Sequence, residues 1–353
     1  MKKIAIVGCG AMGTILGAFM AKNGHPVEMV DANKAHVDAM KAGGAKIIGT
    51  VDFTVPVDAR LPEEMDGIYD LVFVLTKQTA NEAVFKNLMK HLGENSIVCT
   101  LQNGIPEPAV AGYVGAKRTM GGTSNWGATY VSPGISELTQ DLTKTPYMFE
   151  IGEFEGPVTE RTQKVREVLE HMGWPSKVSD NFMPSRWAKL VLNSCGSGMS
   201  AVCGITFGEV MHNPLTRACA CHIAREVLKG CNADGLTMPV YNGKWDLNVF
   251  AFNDKASFEK SEKTFLEIYG IARSGKASML QDLEKGLKTE VRMINGHVSA
   301  TGDKHGFETP FCDKVVDIVT RIENGELKYS MDNVKLFEDS MFDFKSDYLG
   351  YND

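Results

Sequence analysis

Short apolar runs alternate with helix-like segments over the first half of the chain. The runs are rich in β-branched residues and lie at residues 3–7, 27–30, 71–75, 96–100 and 148–151. Strands that alternate with helices are typical of a parallel sheet covered by helices on both faces. The pattern therefore predicts an α/β fold in which residues 1–183 form a Rossmann-type, doubly wound sheet.

The second half of the chain has a different pattern, because strand-like runs nearly vanish after Pro184. Proline suits the first turn of a helix and disfavours helix in the residue before it, so Pro184 marks a boundary. We expect an all-helical C-terminal domain over residues 184–353 that serves substrate binding or dimerisation. Its predicted helical segments lie near residues 185–203, 214–233, 256–297 and 309–324.

Two segments of this second half are rich in aromatic residues. In residues 241–270 the rings alternate with charges, and in the tail at residues 327–353 they alternate with acids. Packing within the domain is one interpretation of these rings. A lid over the substrate or a contact with a second subunit is the other. The rings are Tyr241, Trp245, Phe250, Phe252, Phe258, Phe265 and Tyr269 in the first segment, and Phe337, Phe342, Phe344, Tyr348 and Tyr351 in the tail.

Length and charge limit the function classes. At about 150 residues per domain, 353 residues favour two domains. The 44 acidic and 37 basic residues give a net charge of −7, which argues against nucleic acid or an anionic membrane as partner. No apolar stretch is long enough to span a membrane, and Lys2-Lys3 leads directly into a strand-like run rather than a signal peptide. We therefore expect a cytoplasmic protein that acts on a small molecule.

The eight cysteines agree with a reducing compartment. They show neither Cys-x-x-Cys pairs nor a zinc-type Cys/His spacing, and several lie inside apolar runs. Cys219 and Cys221 would point in different directions on a helix, which makes a redox or metal pair a weak alternative. No metal site is predicted.

A glycine-rich motif follows the first predicted strand. Gly8-Cys9-Gly10-Ala11-Met12-Gly13 lies between that strand and a helix-like segment that starts at Thr14. In a dinucleotide fold the first glycine permits a tight turn, the second lets the backbone approach a pyrophosphate, and the third lets helix and strand pack closely. The helix N-terminus adds amide donors and partial positive charge. The motif predicts a dinucleotide site, although an ordinary βα turn has a similar composition.

An acid at the end of the second predicted strand bears on the choice of cofactor. Asp31 lies 18 positions after Gly13, where a carboxylate accepts hydrogen bonds from the adenosine ribose. A 2′-phosphate would meet that carboxylate, so NAD is predicted over NADP, with Lys34 as the nearby cation that could favour NADP. A turn-forming role for Asp31 is the alternative.

Polar residues also follow two later strands. Thr76-Lys77 and Gln102-Asn103-Gly104 stand where a doubly wound sheet binds its ligand, outside the carboxyl ends of the strands. Each alone is more typical of a turn or a helix cap. On successive strands of one sheet, they favour a site.

The helical half contributes candidate chemistry. Lys189 and Asn193 are four residues apart, so a continuous helix would place them on one face. Apolar neighbours distinguish Lys189 from a solvated surface lysine and make it a candidate proton donor. Further on, helical geometry predicts that Asp282 lies one turn after Ser278, and that Glu290 lies two turns further and roughly 80° around the helix. The three side chains could face one groove.

Together these residues resemble the ketopantoate reductase family (2-dehydropantoate 2-reductases), and the resemblance extends over most of the chain. The glycine motif is shared by many Rossmann proteins, whereas the motifs around Lys189 and after Ser278 are specific to the family. The resemblance implies a Rossmann domain, an all-helical C-terminal domain and an active site between them. The matching pieces are Gly8-x-Gly10-Ala11-Met12-Gly13, Thr76-Lys77, Gln102-Asn103-Gly104, Trp187-x-Lys189-Leu190-x-x-Asn193, and Ser278-Met279-x-Gln281-Asp282 through Thr289-Glu290 to Ile294-Asn295-Gly296.

The resemblance also implies roles for individual residues. Lys189 would be the general acid, Asn103 a cofactor and substrate contact, Asn193 and Ser278 substrate contacts, and Glu290 the residue that orients the site. A 2-oxo acid gains a hydride at its carbonyl carbon and a proton at its oxygen. An ammonium beside that oxygen stabilises the developing charge and supplies the proton.

Departures from the family pattern affect the substrate and the cofactor. Where the family carries two more asparagines, this chain has Ser197, which we expect to contact substrate, and Thr206-Phe207, while Gly275 replaces another polar contact. The family usually prefers NADPH through a basic residue where this chain has Asp31. We therefore rank an NAD-linked dehydrogenase of another 2-hydroxy acid, of the kind that includes D-mandelate dehydrogenases, ahead of a true ketopantoate reductase of pantothenate biosynthesis.

Two other classes remain as alternatives. A 3-hydroxy acid or polyol-phosphate dehydrogenase can share the two-domain plan, but the motif from Ser278 to Glu290 argues against it. A non-catalytic dinucleotide sensor would not need Lys189 together with Glu290. A homodimer is an option that the sequence leaves open.

Overall fold

The computed structural model describes residues 1–144, 146–269 and 275–342. These residues form two compact units, the first from residues 1–102 and 106–182, the second from residues 103–105 and the described residues from 183 onward. The sequence predicts a first domain that ends at residue 183 and that includes residues 103–105. Ile105 is buried in the apolar core of the second unit, which explains why this short segment belongs there.

The first unit alternates strands and helices. Its helices are α1 (Ala11–Lys22), α2 (Lys34–Gly43), α3 (Asn81–Leu88), α4 (Glu107–Val114) and α5 (Glu160–Glu170). Its strands are β1 (Ile4–Val7), β2 (Glu28–Val30), β3 (Ala45–Gly49), β4 (Phe53–Val55), β5 (Asp58–Arg60), β6 (Tyr69–Val74), β7 (Leu92–Thr100), β8 (Thr119–Ser124), β9 (Ala128–Ser132), β10 (Ile135–Leu138), β11 (Phe149–Glu153) and β12 (Ser176–Val178).

The main sheet has the strand order β12-β11-β8-β7-β6-β1-β2-β5, in which only β8 and β11 pair antiparallel. Successive residues of the central strands enter apolar clusters on opposite faces, Ile6 and Phe73 on one, Val7 and Val74 on the other. A strand buried on both faces needs a continuous apolar run, which is the signal read from the sequence. The predicted α/β fold class is confirmed.

The register of the sheet brings the candidate residues to one edge. Val7 of β1 pairs with Val30 of β2 and with Val74 of β6, so these three strands end side by side. The residues that follow them, beginning with Gly8 and Asp31, therefore start from neighbouring points.

A second sheet, of order β4-β3-β10-β9, was not predicted. Its strands are three to five residues long, and β4 and β9 have no fully buried position. Such strands lack the apolar run that identified the central ones. Their pairing depends instead on partners far along the chain, as between β3 and β10.

The second unit is helical, apart from a hairpin of β13 (Val240–Tyr241) and β14 (Trp245–Asp246). Helix α9 is its most buried long helix, and α6, α10, α12 and α13 pack against it. The helices are α6 (Met183–Leu192), α7 (Gly198–Cys203), α8 (Phe207–His212), α9 (Pro214–Ala233), α10 (Lys255–Tyr269), α11 (Ser278–Glu284), α12 (Val291–His305) and α13 (Pro310–Glu323).

Two predicted helices of this unit are corrected. The segment at 185–203 is interrupted by a π-helical turn, Asn193–Ser197, between α6 and α7. The segment at 256–297 is not one helix, because α11 ends before Gly286, whose φ of 66° turns the chain away. Glu290 consequently precedes α12 rather than continuing the helix of Ser278 and Asp282, so the helical geometry predicted for Glu290 is wrong.

The aromatic residues of segment 241–270 mostly pack inside the second unit. Phe250, Phe252 and Phe265 are fully buried in its core, and Trp245 and Tyr269 are nearly so. The packing interpretation therefore describes these rings. In the tail, Phe337 is buried in the same core, whereas Phe344, Tyr348 and Tyr351 lie outside the described residues.

None of the described helices combines the length and the apolar character needed to cross a membrane. All eight cysteines lie in the described ranges, where each is buried and outside any disulfide.

Candidate functional site

The glycine-rich loop has the geometry of a ligand cradle. Gly8 has φ 95°, and a Cβ there would lie 2.4 Å from the Thr76 nitrogen. A Cβ on Gly13 would lie 2.3 Å from the Gly8 oxygen, so these two positions require glycine. Gly10 differs, since no described atom beyond its chain neighbours lies within 4 Å of a Cβ built there. The loop is thus closed on its inner side and open at Gly10.

Helix α1 begins directly after this open position. Gly10 is its N-cap, and Ala11 and Met12, both half-buried, form its first turn. Unpaired amide groups at such an end attract anions. Cys9 is fully buried, its Sγ lies 3.4 Å from the Ile6 oxygen, and burial raises the pKa of its thiol. Any contact of Cys9 with a ligand would therefore use its backbone.

A buried histidine supports the loop from behind. His36 Nε2 lies 2.7 Å from the Cys9 carbonyl oxygen, which also accepts from Thr14 Oγ1 at 2.6 Å. The other ring nitrogen, Nδ1, accepts from the Gly134 N–H at 2.9 Å. Neither His36 nor Gly134 was a predicted site residue, because no local sequence signal links positions so far apart.

Asp31 occupies the end of β2 and is half-buried. Its Oδ1 accepts from the Asn33 N–H at 2.8 Å, so it forms the turn that the sequence analysis weighed as an alternative. This turn uses one carboxylate oxygen. Lys34, the cation that could favour a 2′-phosphate, instead pairs with Asp38 at 2.6 Å.

The residues after β6 and β7 lie close together. Thr76 borders Gly8, and Gln102 Nε2 lies 2.9 Å from the Thr76 carbonyl oxygen and 2.7 Å from Asn81 Oδ1. Gln102 thus holds the two strand ends together. Lys77 is half-buried and precedes a short 3₁₀ turn. Asn103 is half-buried and belongs to the second unit.

In the second unit, Lys189 lies on the last turn of α6 and is half-buried. Burial of its amine, together with the positive charge of Arg186, lowers the pKa of Lys189 to about 7. A lysine with such a pKa exists in both protonation states near neutral pH, which suits a group that donates and accepts protons.

The π-helical turn after α6 carries the next candidates. Asn193 Nδ2 and Ser194 Oγ are buried atoms with no hydrogen-bond partner among the described residues. Ser197, 5% exposed, ends the turn. Two side chains from other helices bind the turn's backbone: Tyr269 Oη donates to the Leu192 oxygen at 2.6 Å, and Asn295 Nδ2 donates to the Ser194 oxygen at 3.2 Å. Single π-helical turns are frequent at functional sites.

The remaining predicted residues belong to α11 and to the N-terminal end of α12, two helices that both contact this turn. Ser278 is the first residue of α11 and is exposed. Glu290 is buried and is the N-cap of α12. One continuous stretch of chain thus carries Lys189, Asn193 and Ser197, whereas Ser278 and Glu290 lie on separate elements.

Comparison with known proteins identifies the family. The family described as "Ketopantoate reductase PanE/ApbA" matches residues 4–155, and "Ketopantoate reductase PanE/ApbA C terminal" matches residues 181–323. This chain belongs to the ketopantoate reductase family. The resemblance read from the motifs is confirmed.

Relatives within the ketopantoate reductase family cover nearly the whole chain. A 2-dehydropantoate 2-reductase of Archaeoglobus fulgidus is 27% identical over 92% of this chain and 99% of its own. A 2-dehydropantoate 2-reductase of Pyrococcus abyssi is 28% identical over 87% and 93%, respectively.

Solved structures show the same fold. A D-mandelate dehydrogenase in a ternary structure with NADH and anilino(oxo)acetate has a TM-score of 0.79 at 23% identity, covering 92% of this chain and 99% of its own. A 2-dehydropantoate 2-reductase from Geobacter metallireducens has a TM-score of 0.75 at 27% identity, with 90% and 99% covered.

Proposed function

We propose that this chain is an NAD-linked 2-hydroxy acid dehydrogenase that interconverts a 2-oxo acid and the corresponding 2-hydroxy acid. The observation that carries the proposal is Lys189, half-buried with its pKa lowered to about 7, next to a π-helical turn whose Asn193 amide has no partner among the described residues. A proton donor beside an unused hydrogen-bond donor suits a small anionic carbonyl compound.

The first unit fits a dinucleotide. The open position at Gly10 leaves room for a pyrophosphate, and the N-terminus of α1 offers it amide donors. Bound there, a nicotinamide dinucleotide would supply the hydride for the carbonyl carbon. Backbone groups of residues 8–13, together with Thr76, Lys77 and Asn103, would hold it.

The preference for NAD over NADP rests on charge. Asp31 keeps one carboxylate oxygen outside its turn bond, and that oxygen can accept from ribose hydroxyls. A 2′-phosphate in the same place would be repelled by the carboxylate. Lys34, the nearby cation along the chain, forms an exposed ion pair with Asp38.

Lys189 is the proposed general acid–base residue. In reduction, its ammonium would stabilise the negative charge that develops on the substrate oxygen and then protonate it. In oxidation, the neutral amine would remove that proton. Glu290 would orient the ammonium, while Asn103, Asn193, Ser197 and Ser278 would donate hydrogen bonds to the substrate's carboxylate and hydroxyl oxygens.

Aromatic rings beside the π-helical turn favour a substrate with an apolar side chain. A Cβ on Gly196 would lie 2.6 Å from Tyr269 Oη and 2.9 Å from Phe207 Cδ1, so both rings approach the turn closely. The ring centroids of Phe207 and Tyr269 are 5.7 Å apart. We propose that apolar parts of these rings also border the substrate, which would suit a 2-oxo acid that carries a bulky or aromatic group, such as phenylglyoxylate, the oxidised form of mandelate.

A true 2-dehydropantoate 2-reductase is the second candidate. The names of the A. fulgidus and P. abyssi relatives, which align over most of the chain, favour it. Its substrate is also a 2-oxo acid, so the proposed role of Lys189 is common to both candidates. The difference lies in the polar groups that contact the far end of the substrate.

A screen of NADH and NADPH oxidation against a panel of 2-oxo acids tests the proposal. The panel includes phenylglyoxylate, ketopantoate and short aliphatic 2-oxo acids, and Lys189→Ala is run in parallel to exclude contaminating activity. We expect the highest kcat/KM with NADH and an apolar 2-oxo acid. A preference for ketopantoate would establish the second candidate, and no turnover with any 2-oxo acid would contradict both.

We propose a cytoplasmic enzyme, and sedimentation analysis of the purified chain will distinguish a monomer from the homodimer considered above.

A further inference from the structure

The dinucleotide loop of the first unit is held by a network of buried side chains that no glycine motif includes. His36 is 1% exposed and Thr14 is fully buried, and both contact the carbonyl oxygen of Cys9. Two donors on one carbonyl use both of its lone pairs. The Cys9 carbonyl is therefore fixed in direction from the interior of the unit.

The direction of this carbonyl determines the direction of an amide on the ligand side. The carbonyl of Cys9 and the N–H of Gly10 belong to one planar, trans peptide unit, in which the two bonds point in opposite directions. With the carbonyl held towards His36 and Thr14, the Gly10 N–H points away from the interior. Gly10 is exposed and stands at the open position of the loop.

A hydrogen bond from the Gly134 backbone sets the tautomer of the His36 ring. The Gly134 N–H donates to His36 Nδ1 at 2.9 Å, so Nδ1 acts as an acceptor and the proton of the neutral ring resides on Nε2. That proton is the one needed to donate to the Cys9 carbonyl. Gly134 lies in the turn between β9 and β10, so the second sheet supports the loop through this ring.

We propose that His36 is a positioning residue for the cofactor's pyrophosphate, acting through the Cys9–Gly10 peptide. The proposal rests on the dinucleotide-binding part of the proposed function and extends it to a residue and a sheet outside the glycine motif. Thr14 is the second hydrogen-bond donor to the Cys9 carbonyl, and the β9–β10 turn holds the His36 ring through the Gly134 N–H.

Ligand fragments separate a positioning role from a general structural one. ADP-ribose contains the pyrophosphate, whereas adenosine contains no phosphate and contacts only the adenine and ribose part of the site. Both are titrated by calorimetry or by competition with NADH fluorescence. For wild-type protein we expect binding of ADP-ribose clearly tighter than that of adenosine.

Four variants complete the experiment. His36→Leu removes the ring's hydrogen bonds with the Cys9 carbonyl and the Gly134 N–H, and its 3.0 Å contact with Thr14 Oγ1. We expect roughly tenfold weaker ADP-ribose binding, with adenosine binding changed less than about twofold. His36→Gln can still donate to the Cys9 carbonyl and should recover most of the lost affinity. Thr14→Val is nearly isosteric and removes the other donor to the Cys9 carbonyl, so it should weaken the binding of ADP-ribose by roughly threefold. Ser96→Ala removes a buried hydroxyl that donates to the Tyr69 oxygen at 2.6 Å, and should lower the Tm without changing either affinity.

Each result has a defined meaning. If His36→Leu bound ADP-ribose like wild type, or weakened adenosine and ADP-ribose equally, the positioning role would be wrong. If His36→Leu did not fold, the contrast between Thr14→Val and Ser96→Ala would decide, with equal ADP-ribose affinities contradicting the proposal. If the wild-type protein bound neither ADP-ribose nor NADH, the proposed dinucleotide function itself would fail.

Discussion

The hydroxyl of Tyr269 donates a 2.6 Å hydrogen bond to the carbonyl oxygen of Leu192, 77 residues earlier in the chain. Leu192 ends α6, and its carbonyl precedes the π-helical turn at Asn193. A π-helical turn removes regular α-helical partners from nearby carbonyls, and Tyr269 supplies a replacement. The close approach is allowed because residue 196 is glycine.

Tyr269→Phe is therefore expected to loosen the turn while keeping the ring in the core. We predict a loss of about 1 kcal/mol of unfolding free energy, the typical contribution of one hydrogen bond. We also predict a fall in kcat of a few-fold with NADH affinity unchanged, because Asn193 and Ser197 lie on this turn. Urea denaturation, steady-state kinetics and NADH titration measure these effects.

Tyr113→Phe is the matched control, since Tyr113 is exposed and lies in the first unit. It should change neither stability nor kcat. A Tyr269→Phe variant with lowered stability but normal kcat would restrict Tyr269 to packing.

Lys189→Ala should lower kcat by about 10² to 10⁴, the range usual for loss of a general acid. NADH binding should persist, because the predicted dinucleotide loop belongs to the first unit. Stopped-flow reduction and NADH fluorescence titration provide the two readouts. Near-normal turnover by a folded variant would contradict the proposed mechanism.

The lowered pKa of Lys189 predicts how kcat/KM depends on pH in each direction of the reaction. Reduction needs the ammonium, so kcat/KM for the 2-oxo acid should fall as the pH rises through about 7. Oxidation needs the neutral amine, so kcat/KM for the 2-hydroxy acid should rise through the same pH. Profiles of both directions between pH 5 and pH 10, about two units or more either side of that pKa, test this. An inflection retained in Lys189→Ala would assign it to another group.

The negative charge of Asp31 leads us to expect a preference for NADH over NADPH. NADH should bind at least about tenfold more tightly than NADPH, since a carboxylate close to a 2′-phosphate costs more than the roughly 1.4 kcal/mol that corresponds to tenfold. Asp31→Asn keeps an acceptor for the Asn33 N–H but removes the charge, so it should reduce the difference between the affinities for NADH and NADPH. Asp31→Arg should move the preference towards NADPH.

Lys34→Ala is the control for this series. The ammonium of Lys34 is paired with Asp38, so its removal should leave the ratio of NADH to NADPH affinity nearly unchanged. Equal affinities of the wild-type protein for both cofactors would remove Asp31 from its proposed role.

Glu226 provides a test of the helical core. This fully buried carboxylate on α9 accepts from the backbone N–H groups of Phe311 and Cys312, both at 2.8 Å, at the start of α13. Glu226→Gln loses the charge that favours a helix N-terminus and one of two acceptors, so we expect a loss of about 1 to 3 kcal/mol in unfolding free energy. Urea denaturation measures it, with the exposed Glu259→Gln as a control that changes stability by less than about 0.5 kcal/mol.

The sequence by itself determined the features whose signals are local. A central strand such as β1, buried on both faces, requires a continuous apolar run, and the tight turn after it requires Gly8 and Gly13. The family motif around Lys189 is equally local, because it lies within seven consecutive residues, from Trp187 on α6 to Asn193 at the start of the π-helical turn. These signals sufficed for the fold class and for the family.

Tertiary structure decided the features that depend on residues far apart in the chain. His36 is hydrogen-bonded to Gly134, 98 positions later in the chain, and Tyr269 is hydrogen-bonded to Leu192, 77 positions earlier. No periodicity in the sequence predicts either hydrogen bond. Helical spacing predicts that Glu290 continues the helix of Ser278, but α11 ends before Gly286, and Glu290 is the N-cap of α12. The physical reason is the same for the two hydrogen bonds: a buried polar group must find a partner, and chain topology, rather than neighbouring residues, decides which partner is within reach.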